Sequence, residues 1–159
     1  MTQRINFRPV VNLAATSIIG QDDQVSADQF SNSAKLDLKG NRHSGEIVQV
    51  HMTMSGTVAT LNTQGDIIFL SADPAVSAGD ASLTAAEWET VIGTVSVTTA
   101  EWVSIGNAGV MSKSLSIPFH PVDAIWVVFL VATGETQINS AAGDNEVVKV
   151  SLQIRKESD

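Results

Sequence analysis

Between residues 46 and 54 apolar and polar positions alternate. Val48, Val50, Met52 and Met54 share one side of an extended chain, while Gln49, His51 and Thr53 share the other with Ile47. Near the C-terminus Val148, Val150, Leu152 and Ile154 alternate with Lys149, Ser151, Gln153 and Arg155. A period of two sends one face to a core and the other to water, as in a half-buried antiparallel strand. Weaker alternation predicts strands at 34–39, 91–98 and 110–119. In the last of these, Leu115, Ile117 and Phe119 stand opposite Ser114 and Ser116. Shorter candidates lie at 66–71 and 102–105.

One segment breaks the rule. Residues 125–131 read Ile-Trp-Val-Val-Phe-Leu-Val and are apolar on both faces. Either this strand is covered on both sides within one domain, or one face lies under a partner subunit. Turn signals separate the strands at 40–41, 62–65, 73–74, 106–107, 133–134 and 143–145. About eight strands at that spacing predict an all-β domain, an antiparallel β-sandwich or jelly roll. One short helix is expected, because Thr84-Ala85-Ala86-Glu87 has the form of a capping box, leading through Trp88 to the strand at Val91. An echo of it, Ala100-Glu101-Trp102, follows on the far side of that strand and is read as coincidence or local duplication.

Residues 1–33 lack a clean period and are expected as an N-terminal arm or edge strand, with the sandwich domain over 34–159. Arg4, Arg8 and Pro9 precede the apolar residues Val10, Val11 and Leu13. Proline cannot donate to a ladder, which suits an edge or an extended crossing. Arg4, Phe7, Arg8, Val10, Val11 and Trp126 are the candidate interface residues. Between Arg42 and Lys113 there is no Lys or Arg but there are seven acids, so one end of the molecule is expected to be acidic and the arm basic.

Composition supports the strand reading and narrows the chemistry. Val, Ile and Thr account for 44 of the 159 residues, and their stiff χ1 suits a pleated sheet. Only 16% of residues are charged and mean hydropathy is +0.13, which disfavours intrinsic disorder. A net charge of −8 argues against a generic nucleic-acid binder. No cysteine is present, so disulfides, thiolate metal sites and cysteine nucleophiles are excluded. The first residues lack an apolar signal core, and the longest apolar run, 124–132, is about half a membrane span. The expectation is a chain made in the cytoplasm, with neither a membrane nor a nucleic acid as partner.

No phosphate loop, dinucleotide fingerprint, zincin motif, EF-hand loop or nucleophile elbow occurs. The histidines are His43, His51 and His120. A triad drawn from His120, Asp123 and one of seventeen serines carries little information. Asp22-Asp23 with Asp28, Asp73 with Asp80, and Asp144 with Glu146 offer oxygens to a hard cation, but solvated acidic loops explain them as well. Trp88, Trp102 and Trp126 raise a sugar platform, against core or subunit packing. No catalytic residue, metal or cofactor is assigned.

The arm over 4–19, the strand Gly45-Glu46-Ile47-Val48-Gln49-Val50 and the run 124–132 resemble in style the small β-sandwich decoration, or cement, proteins of tailed-bacteriophage capsids. The resemblance implies a non-enzymatic virion protein, often a homotrimer, bound to the major capsid protein at the capsid surface. The alternative is a carbohydrate- or receptor-binding β-sandwich module of a phage fibre or baseplate.

Overall fold

The computed structural model describes residues 10–20, 23–39, 43–56, 63–106, 108–133 and 147–157. Nine strands are seen there: β1 (Val10–Ile19), β2 (Ala34–Asp37), β3 (His43–Ser55), β4 (Gly65–Leu70), β5 (Val91–Val97), β6 (Val103–Ile105), β7 (Ala108–Val122), β8 (Ala124–Val131) and β9 (Val147–Lys156). Helix α1 (Ala85–Trp88) precedes β5, and a 3-10 turn (Thr99–Glu101) follows it. The strands form two sheets, ordered β1-β9-β3-β7-β6 and β2-β8-β4-β5.

The pairing is nested. β1 pairs with β9, β2 with β8, β3 with β7 and β4 with β5, all antiparallel. This is one long antiparallel ribbon folded at the β4–β5 end. Rolling it up adds the pairs β3–β9 and β4–β8, which turn the ribbon into two facing sheets. That is a jelly roll, with β6 as an extra short edge strand beside β7. Residues 10–19, open between arm and edge strand in the sequence, form β1 at the outer edge of the first sheet.

The two inner faces make the core. Val50, Met52, Met54, Val148, Val150, Leu152 and Ile154 meet Ile67, Phe69, Ile125, Val127 and Phe129, all essentially inaccessible to water. Burial on this scale stabilises by about 1.5–3 kcal/mol for each such side chain. One assignment of faces changes. The ladder shifts register between Ile47 and Gln49 against both β7 and β9. The shift turns Ile47 into the core and leaves Val48 half-buried, the reverse of simple alternation. Gly65 sits where β4 and β8 press together within the second sheet, since a Cβ there would strike the Leu130 carbonyl and the Phe129 ring.

The doubly apolar run is β8, and its second face is covered by the same chain. Ile125, Val127, Phe129 and Val131 point into the main core. On the outer side Val128 is buried in a second cluster with Phe30, Ile68, Leu70, Val76 and Leu83, and Trp126 and Leu130 pack against it. Phe30, Val76 and Leu83 come from the connections before β2 and before α1. Residues 28–31 also continue the β2 edge. Ser31 N–H donates to the Phe129 carbonyl at 2.8 Å, Val131 N–H donates to the Gln29 carbonyl at 3.0 Å, and Asp28 N–H donates to the Val131 carbonyl at 2.9 Å. The buried Ser31 hydroxyl accepts from Phe129 N–H at 2.9 Å. Truncating Phe30 to Ala therefore removes the floor of this layer. It is expected to cost about 3–5 kcal/mol in urea unfolding; a change below about 1 kcal/mol would mean that the loop does not pack there.

Candidate functional site

The three histidines lie apart. His43 opens β3, and His51 stands on the outer face of the first sheet with its Nδ1 2.6 Å from the Ser112 hydroxyl. His120 is exposed near the end of β7, in a cleft of about 460 Å³ between the edges of the two sheets. Its walls are Val91, Ile92, Pro118, Phe119, Pro121 and Val122, with Ser71, Glu89 and Thr90 at the β5 side. Among the described residues no hydrogen bond joins His120 to a serine or to Asp123. The Ser71 hydroxyl donates instead to the Thr90 carbonyl at 3.2 Å.

The acidic candidates that are described serve the loops. Asp23 accepts from Gly20 N–H and from the Asn32 amide, both at 2.6 Å. Asp73 accepts from Ala75 N–H at 2.8 Å, which holds Ala75 in the left-handed region at φ 51°. Asp80 accepts from Ser77 N–H at 2.8 Å, and Asp28 from the Thr133 hydroxyl at 2.6 Å. Among the described residues no three His, Asp or Glu side chains converge as a metal site. Asp22, Asp144 and Glu146 lie outside the described residues.

The tryptophans take three different places. Trp102 is buried and donates its indole N–H to the Thr63 carbonyl at 3.0 Å. Trp126 is half-buried, with the Lys35 ammonium 6.0 Å from its ring centre. Trp88 alone is open, at 46% exposure. Of the candidate interface residues, Val10 is half exposed and Val11 partly buried at the start of β1. Arg4, Phe7 and Arg8 lie outside the described residues.

The outer face of the first sheet carries ordered polar rows. Asn12, Gln153, Gln49 and Ser114 stand in register across four strands, and Ser151, His51 and Ser112 form the next row. A shallow depression of about 250 Å³ opens between Asn12, Gln49, His51, Ser151 and Gln153. Toward the other end of this face, the Arg155 guanidinium lies 3.3 Å from the Glu46 carboxylate, which also accepts from the Ser116 hydroxyl at 2.5 Å.

The capping box at Thr84 forms: Glu87 N–H donates to the Thr84 hydroxyl at 3.3 Å, and Thr84 N–H donates to the Glu87 carboxylate at 2.6 Å. The sequence echo makes the carboxylate half of the same box. Thr98 N–H donates to the Glu101 carboxylate at 2.7 Å, so matching Thr-x-x-Glu-Trp segments bracket β5. That second box is readable from Thr98 three residues before Glu101, a spacing obscured when the echo is counted from alanine. Lys113 from β7 reaches the second of them and β5 itself, donating to Glu101 at 2.6 Å and to the Ser96 carbonyl at 2.9 Å. It ties the edge of one sheet to the edge of the other.

No protein-family model matches the sequence, and no curated protein matches it either. Distant overlaps exist with solved virus structures. A chain in the full particle of Israeli acute paralysis virus heated to 63 degrees superposes with a TM-score of 0.33 and 11% identity, over 95% of this chain and 72% of that one. A chain of Sacbrood virus of honeybee gives a TM-score of 0.37 and 10% identity, over 99% and 73%. A chain of deformed wing virus, a honeybee pathogen, gives 0.36 and 8%, over 95% and 49%. Likenesses this distant decide neither partner nor activity, and the jelly roll stands on its own strand pairing.

The Glu101 contacts have a pH signature. The Lys113 ammonium, first, and Thr98 hold the Glu101 carboxyl below its usual value, outweighing partial burial. A lowered folded-state value stabilises the fold above the unfolded-state value, about pH 4.3, and that gain is lost as pH falls through the folded value. Lys113→Met is therefore expected to flatten the fall in Tm between about pH 5 and 3. An acid profile identical to that of the parent would contradict the assignment.

Proposed function

We propose that this protein is a non-enzymatic structural component of a virus particle, a decoration or cement protein that binds the major capsid protein on an assembled tailed-phage capsid and stabilises it. One observation carries the reading. The domain is a jelly roll whose first strand is an outer edge strand, and that strand continues directly from the basic arm bearing Arg4 and Arg8. By fold-level analogy, jelly rolls recur in viral capsid and lectin domains. An edge strand leaves backbone donors and acceptors on one side unpaired, a ready template for a partner chain. Val10 and Val11 at the open end of β1 add apolar surface to that edge.

The physical role follows from linkage. A protein that binds only the assembled shell stabilises it by mass action, and several identical attachments raise the effective affinity. A homotrimer fits this multivalency. The face containing Trp126 is largely clothed by the chain's own loops, which favours the arm and edges for a subunit contact. The rival sugar- or receptor-binding reading draws on the polar rows around Gln49 and Gln153 and on Trp88, the one open tryptophan.

Deleting residues 1–9 tests the attachment. The shortened chain is expected to fold with a Tm within a few degrees of the parent and to lose most of its co-sedimentation with capsids purified from the source. Undiminished co-sedimentation, or particles that never carry the protein, would overturn the proposal.

A further inference from the structure

The cleft between β5 and β7 has the chemistry of a receptor for an apolar and cationic segment. Its lining mixes polar and apolar surface in about equal parts; the apolar part includes two prolines, Pro118 and Pro121, which have no N–H to offer and leave their rings as contact surface. At its β5 side stands Glu89. Among the described residues the Glu89 carboxylate has no cationic partner, whereas Glu87 caps a helix and Glu101 is held by Lys113. No Lys or Arg occurs anywhere between positions 42 and 113, so nothing on β4, α1 or β5 offsets its charge. The facing element, β7, brings His120 and no other basic group to the cleft.

The chain carries a segment of the complementary kind. Arg4-Ile5-Asn6-Phe7-Arg8 alternates polar and apolar residues, so in an extended conformation Ile5 and Phe7 share one side and the arginines the other. It joins β1 at Val10, which stands in register with Arg155, Glu46 and Pro118 across the first sheet. Val10 thus stands at the same level as the cleft, but at the opposite edge of the sheet. Donor and receptor at opposite edges of one sheet is the arrangement of a head-to-tail contact, which closes into a ring when the rotation allows.

The geometry points to the cleft of one copy as the receptor for residues 4–8 of a second copy, with Phe7 against the proline-lined wall and Arg8 on Glu89. This deepens the structural-protein reading above and rests on it, because it names the chain that the arm engages. The six steps from Arg4 to Val10 span at most about 20 Å, and the cleft of the same subunit lies about three strand spacings, roughly 14 Å, from Val10. The test must therefore separate the two copies.

Sedimentation of the full chain, with particle binding measured in parallel, does so. The parent is expected to run as a multiple of 16.8 kDa. Arg8→Glu and Glu89→Arg should each weaken self-association by at least about tenfold while leaving circular dichroism unchanged. The double variant should recover it, and mixing the two single variants should recover it in part. Phe7→Ser should weaken it without changing its salt dependence. A monomeric parent, association indifferent to both charge reversals, or rescue only within the double variant and never on mixing would overturn the inference. Self-association without particle binding would leave it standing and remove the functional reading; particle binding by a monomeric parent would do the opposite.

Discussion

The constraint on which the rest of the structure depends is that β8 must be buried along its inner face and at the centre of its outer face. Its inner side chains supply the centre of the sandwich core, and Val128 on its outer side is as inaccessible as they are. A backbone so placed cannot turn to water, so each edge of the strand needs a partner. β4 supplies one edge. β2 supplies only half of the other, and residues 28–31 complete it, with the Ser31 hydroxyl filling the gap in the ladder. The long connections before β2 and before α1 are therefore a third layer of the fold.

That layer explains which parts of the fold could be read from the chain. Alternation located the two-faced strands well, because Val148 to Ile154 obey a period of two without interruption. The capped turn at Thr84 was equally legible, since both partners of the box are local. Residues 125–131 announced burial on both sides but not what does the burying. Phe30 lies nearly a hundred positions from Val128, and no local pattern links them. Ile47 was misplaced for a related reason. The register shift at Val48 is set by what two neighbouring strands demand, and nothing in the strand's own spelling marks it. The cleft was invisible because Glu89, Ile92 and Pro121 meet only when the ribbon rolls.

The same geometry restricts where partners can touch. One sheet has its outer face largely covered by the loop layer, which carries Asp73 and Asp80 already engaged in turns. The other sheet presents amides, hydroxyls and ion pairs whose groups partly satisfy one another, as in His51 with Ser112 and Arg155 with Glu46. Polar faces of this kind stay solvated at little cost and gain little by being buried. Adhesive surface is thus left at the edges: the start of β1, the exposed Val103 and Ile105 of β6, and the cleft where β5 runs beside β7.

Lys113 shows why that second edge can bear a contact without coming apart. Among the described residues it is the one cation that crosses from β7 to the β5 side, and it grips a carboxylate and a carbonyl at once. Its partner Glu101 is already fixed by the turn that Thr98 caps, so little side-chain freedom remains to be lost when the pair forms. Isolated surface ion pairs contribute little because both side chains must be ordered for one attraction; here the turn has ordered one in advance. The two sheets are thereby tied along the side where the cleft opens, and Gly93 lets Ile117 pack directly against the β5 backbone beside it. A cleft held from both walls keeps its shape when empty, and a preformed receptor spares an incoming segment the cost of ordering it.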